Sequence, residues 1–178
     1  MTEIARMYGG SLYDLAAEEG LETRILGELD EVSAILKGDP EYLHLLSIPS
    51  IPKKERCALL DKAFEGAHPY LVSFLKLLCE EDLLGELPGC LRAYQDRYNV
   101  DHNILEVTAV SAIALTAPSR EKLLAKLQKM TGKNIVLTET VDPAVLGGLR
   151  LDMDGTRLDG TVQRHLERLR TEIDGAVL

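Results

Sequence analysis

Near Val100-Asp101-His102-Asn103 the hydrophobic period of the chain changes. Before this point apolar residues recur at the three- and four-residue spacing of amphipathic helices. After it come runs rich in Val, Ile, Ala and Thr, which suit a pleated, half-buried strand. A helix returns to the same face every 3.6 residues and a strand every second residue, so one pattern cannot serve both elements. The expected fold class is mainly α with α+β. Residues 1–103 are expected to form an N-terminal six-helix bundle, and residues 104–178 a small C-terminal α+β domain.

Six helical stripes can be read in the first part. Ile4, Tyr8, Leu12 and Leu15 line a helix over residues 3–19 that Gly20 stops. Gly9-Gly10 interrupts this helix, and each glycine costs a helix interior about 1 kcal/mol relative to Ala. That cost is tolerable where another helix must approach closely. Leu21, Ile25, Leu29, Val32 and Leu36 line the second helix, and Pro40 opens a short third one ending near Ser47. Pro52 opens a fourth, cored by Leu59, Leu60, Ala63 and Phe64, with Lys53-Lys54-Glu55-Arg56 expected on a solvated face. Pro69 to Cys79 is apolar nearly all round, so this helix is either the centre of the bundle or packs one face inside and offers another to a partner. Leu87, Leu91, Tyr94 and Tyr98 mark the sixth.

In the second part, Ile104 to Leu115 reads as a strand, Ser119 as the N-cap of a helix through Met130, and Asn134 to Val141 as a second strand. The stretch from Val141 to Val162 reads as a turn, a strand entered through Gly147-Gly148, a hairpin at Asp154-Gly155 and a return strand. Asp-Gly between two alternating runs is a strong hairpin signal, because a type I′ turn needs positive φ at both central residues. A last helix is expected from about Thr161, with Val162, Leu166, Leu169 and Ile173 on its apolar side.

Charge narrows the choice of partners. The net charge of −9 falls entirely on the first part: ten Lys and Arg against nineteen Asp and Glu over residues 1–103, ten against ten over 104–178. An acidic bundle repels nucleic acid and anionic lipid, which argues against a helical RNA-binding module of the antitermination type, the alternative reading. The three cysteines, Cys57, Cys79 and Cys90, contain no Cys-x-x-Cys pair and fit buried free thiols in a reducing compartment. The sequence has neither a signal-peptide pattern nor a run of the roughly 18–20 apolar residues a membrane span needs, so no direct membrane insertion is expected.

Catalytic chemistry finds no foothold. His44, His68, His102 and His165 lack metal-ligand spacing. Asp152, Asp154 and Asp159 lack the glycine position and the terminal Glu of a calcium loop. Gly132-Lys133 has no glycine five residues before it, and Gly147-Gly148 has no third glycine or following helix. No serine or cysteine has a base that the sequence can nominate. The expectation is no catalytic residue, no metal and no cofactor, with apolar helix faces available for a partner helix.

One family unites these features. Asp142 with Gly147-Gly148 before a strand, then Asp159-Gly160-Thr161-Val162 before the last helix, closely resembles the delta subunits of F-type ATP synthases, whose mitochondrial equivalent is the oligomycin-sensitivity-conferring protein. Ala5-Arg6-Met7-Tyr8 resembles the family's first-helix Ala-x-x-Tyr, and Phe74-Leu75-Lys76-Leu77-Leu78 its fifth-helix motif. Thr161 stands where Ser is usual, Ser73 where Asn is, Gly9-Gly10 where Ala and another helix former are, and Asp82-Leu83 where Gly-Arg is common. The resemblance implies a non-catalytic stator link at the cytoplasmic face of the cell membrane, peripheral to it. The N-terminal domain would hold the N-terminal segments of the alpha subunits, and the C-terminal domain the b subunits of the peripheral stalk. By motif, the alpha segment would meet Ile4, Tyr8, Leu12 and Leu15 on the first helix and Leu71, Leu75 and Leu78 on the fifth.

Overall fold

A computed structural model describes residues 1–48, 50–145, 148–153 and 156–159. It divides into two compact units, the first ending at Val100 and the second beginning at Asp101. The first unit is helical. Its elements are α1 (Glu3–Glu18), α2 (Glu22–Gly38), α3 (Pro40–Leu46), α4 (Lys53–Ala63), α5 (Pro69–Glu80) and α6 (Leu87–Asp101), with a 3-10 turn at Leu84–Glu86 before α6. The expectation of six helices therefore omits a seventh helical segment, a single short turn that periodicity cannot register.

Local chemistry sets these boundaries. Thr2 caps α1 by accepting from the Ala5 N–H at 3.1 Å. Gly20 (φ 67) ends it in a Schellman arrangement, with the Leu21 N–H on the Ala16 carbonyl at 2.8 Å and the Gly20 N–H on Ala17 at 3.2 Å. Pro40 and Pro69 sit in the first turns of α3 and α5, where the missing N–H costs nothing. The core gathers Ile25, Leu29, Val32 and Leu36 from α2, Leu60 from α4, and Leu71, Phe74, Leu75, Leu78 and Cys79 from α5.

The glycine pair in α1 has an internal cause. A Cβ at Gly9 would lie 2.2 Å from the Cys90 carbonyl oxygen, and one at Gly89 2.8 Å from the Ala5 Cβ. Small residues thus let the backbones of α1 and α6 meet. Beside this crossing Tyr13 and Tyr94 pack edge to face with centroids 5.2 Å apart, and the Tyr94 hydroxyl donates to the Glu22 carbonyl at 3.0 Å. An Asp14–Arg97 ion pair also joins the two helices.

One expectation in α4 fails. Arg56 is 3% exposed rather than solvated. Its guanidinium donates to the Leu46 carbonyl at 2.8 Å and to Asp82 Oδ1 at 2.7 Å, so the end of α3 and the loop after α5 both draw it inward.

The second unit carries a four-stranded sheet in the order β2-β1-β3-β4, with β1 (Ile104–Ser111), β2 (Asn134–Val141), β3 (Leu149–Met153) and β4 (Thr156–Asp159). β1 and β2 run parallel, joined through α7 (Ala117–Thr131), the crossover that a parallel pair requires. β3 pairs antiparallel with both β1 and β4. The central β1 is the most buried, through Val107, Ala109 and Val110. The strand expected to reach Leu115 stops at Ser111, and the cap of α7 is Thr116, not Ser119. Ser119 lies inside the first turn, where its hydroxyl bonds that of Thr116 at 2.9 Å. Met153 pairs with Thr156 as the hairpin reading requires; Asp154-Gly155 and the expected last helix lie outside the described residues.

Candidate partner-docking face

On α1 the apolar residues divide between two sides. Ala5, Gly9, Leu12, Tyr13 and Ala16 are buried. Ile4 (42% exposed), Met7 (59%) and Leu15 (40%) face outward, with Tyr8 half-buried between them. Positions 4, 7, 8 and 15 share one side of the helix, which is thus largely apolar, with Ser11 between Tyr8 and Leu15. Three large apolar side chains exposed on one helix are unusual for a face meant only for water.

The sequence-selected residues are thereby sorted. Ile4, Tyr8 and Leu15 reach the surface. Leu12 is 4% exposed, and Leu71, Leu75 and Leu78 are fully buried in the core of their own unit. Those four cannot present side chains to a partner while the bundle is folded; they seat the helices. The motifs that select them do not separate inner from outer positions, and α5 is apolar nearly all round, which identifies a central helix but not its outer side. The outward apolar residue of α5 is Leu77, 44% exposed. Met7 was missed because the Ala-x-x-Tyr motif points to its neighbours, although its position on the stripe could have found it.

Charges also brace the helical framework. The Glu28 carboxyl is pushed up by burial, yet the His68 backbone N–H at 2.6 Å and Arg24 at 2.8 Å together hold it below its ordinary value. This contact ties α2 to the start of α5. Asp82 is held below the usual carboxylate range chiefly by its hydrogen bond from Arg56.

In the second unit the described motif residues Asp142 and Gly148 are backbone devices. The Asp142 N–H donates to the Ser111 carbonyl at 2.9 Å, and its Oδ1 accepts from the Ala144 N–H at 2.9 Å. Asp142 thus closes the turn after β2. Gly148 has φ 90, a conformation that side chains resist, which accounts for glycine there. Asp159 ends β4; Gly147, Gly160 and Thr161 lie outside the described residues. Asp152, facing Arg157 across the β3–β4 pair, binds it at 2.7 Å as a cross-strand ion pair. Exposed apolar residues recur at Ile113, Met130, Val136 and Val141. Among the described residues no helix is long and apolar enough to cross a membrane.

Comparison with known proteins places this architecture. The family described as ATP synthase delta (OSCP) subunit matches residues 4–173. The ATP synthase subunit delta of Desulfitobacterium hafniense (strain Y51) is 32% identical over 174 residues, 97% of each chain. That of Leuconostoc citreum (strain KM20) is 28% identical over 176 residues, 98% of each. A chain in the cryo-EM structure of the Toxoplasma gondii mitochondrial ATP synthase hexamer shares the fold, with a TM-score of 0.75 over 97% of this chain and 98% of that one at 16% identity. With motif order, helical bundle, mixed sheet and full-length similarity in agreement, the chain belongs to the ATP synthase delta (OSCP) subunit family.

Proposed function

We propose that this chain is the non-catalytic stator link of an F-type ATP synthase, joining the catalytic head to the peripheral stalk so that proton-driven rotation is coupled to ATP formation. Family membership over residues 4–173 carries the reading. The helical bundle receives the N-terminal segments of the alpha subunits, and the domain from residue 104 onward receives the b subunits. The complex sits peripherally at the cytoplasmic face of the membrane. Family membership and the acidic first part together leave the RNA-binding alternative without support.

The outward strip of Ile4, Met7, Tyr8 and Leu15 is the natural seat for an amphipathic alpha segment, with Leu77 as the exposed apolar residue of α5. Leu12, Leu71, Leu75 and Leu78 act beneath it by fixing α1 and α5. A link under torque must remain bound for many cycles, and nanomolar affinity corresponds to about 12 kcal/mol. Co-purification tests the division of labour. Removing residues 104–178 should spare retention on the catalytic head and abolish connection to the stalk; loss of head retention in a folded 1–103 fragment would contradict it.

A further inference from the structure

We propose that the alpha N-terminal segment docks on α1 as an amphipathic helix with a basic end, its Lys and Arg side chains meeting Glu18 and Glu19, so that charge steers the encounter. This rests on the stator reading and adds to it the chemistry of the partner. Glu18 is the last residue of α1 and Glu19 its C-cap, one turn beyond the exposed Leu15. Residues three and four positions apart on a helix are neighbours, so both carboxylates extend the outward apolar side at its end. Both are exposed, and among the described residues neither has a hydrogen-bond or ion-pair partner for its side chain.

Local physics disfavours this arrangement in the free chain. A helix C-terminus carries about half a negative charge, which cations stabilise and carboxylates oppose. The helices α2, α3, α4 and α7 follow that preference, with Lys37, His44, Lys62 and Lys129 in their last turns. α6 lacks a basic residue there and ends on a single acid, Asp101. α1 also lacks one, and it ends on two carboxylates. α5 ends alike on Glu80 and Glu81, one turn beyond the exposed Leu77, but Lys53 donates to the Glu80 carbonyl and offsets the charge. At α1, Arg97 from α6 pairs with Asp14 one turn earlier instead. An uncompensated negative end beside exposed apolar side chains fits an amphipathic helix that brings its own cations. The net charge of −9 over residues 1–103 adds a longer-range attraction for such a segment.

The test is titration of the full chain with a synthetic alpha N-terminal peptide at about 50 mM and about 500 mM NaCl, by calorimetry and stopped flow. Affinity should fall by about fivefold or more at the higher salt, mostly through slower association. The double variant Glu18→Gln/Glu19→Gln should bind about fivefold more weakly than wild type at low salt and match it at high salt. Replacing the peptide's Lys and Arg by Gln should cost wild type a similar factor and the double variant little further. The double variant should keep or raise the urea midpoint, because two charges leave the negative end of α1. Salt-independent binding, or unchanged affinity in the double variant, would overturn the proposal and leave the docking reading standing. A lowered urea midpoint would do the same, since the glutamates would then serve the fold. No binding at either salt would overturn both.

Discussion

Asp82 occupies a left-handed backbone position (φ 57), a conformation that glycine adopts most readily. Aspartate tolerates that conformation better than most residues, and here it also supplies a carboxylate to the buried Arg56 guanidinium. Its folded pKa is lowered, so its contribution to stability is complete above the ordinary value of 3.8 and is lost as pH falls through the depressed value. Glu28, also lowered, adds to acid sensitivity in the same direction from its ordinary value of 4.5. Asp82→Asn should lower the urea midpoint at pH 7, and the gap from wild type should narrow as pH drops below 4. A gap independent of pH would mean that the ion pair does not stabilise the fold. None of this was legible in the sequence, because Arg56 sits in a basic run whose bland reading is a wet surface. Only the meeting of α3, α4 and the loop after α5 buries it.

Among the elements, the crossing of α1 and α6 gives the sharpest contrasts. A Cβ at Gly9 meets rigid backbone at 2.2 Å, whereas at Gly10 it meets only the flexible end of Arg97 at 3.1 Å. Gly9→Ala should therefore destabilise by about 1–3 kcal/mol through overpacking, against a helix-propensity gain of about 1 kcal/mol. Gly10→Ala should be near neutral. Gly27→Ala, in open space on α2, should stabilise by up to about 1 kcal/mol. Chemical denaturation of the three variants checks the order, and equal effects at positions 9 and 10 would refute the close crossing. The glycine pair announced a close approach, but not whether a neighbouring helix or a partner makes it. The helix positions followed from periodicity and from proline and glycine punctuation. The inward and outward sides of α5 did not, since Leu71, Leu75, Leu77 and Leu78 are alike in sequence and differ only in what packs on them.

At the scale of the whole molecule, the change of period near Val100 marks the division into a helical unit and a sheet unit, and the motif order across the chain identifies the family. What single motifs could not supply was the contact surface, because motif residues such as Asp142 and Gly148 answer backbone demands, Asp142 closing a turn and Gly148 holding a positive φ. The central claim is that the outward strip of α1 holds the alpha N-terminal segment. Calorimetric titration of the full chain with a synthetic alpha N-terminal peptide tests it most directly. The account predicts saturable one-to-one binding in the micromolar range or tighter, weakened by about tenfold or more, roughly 1.4 kcal/mol, in Tyr8→Asp and in Leu15→Asp. Absence of binding below about 100 μM, or full affinity retained in both variants, would contradict it.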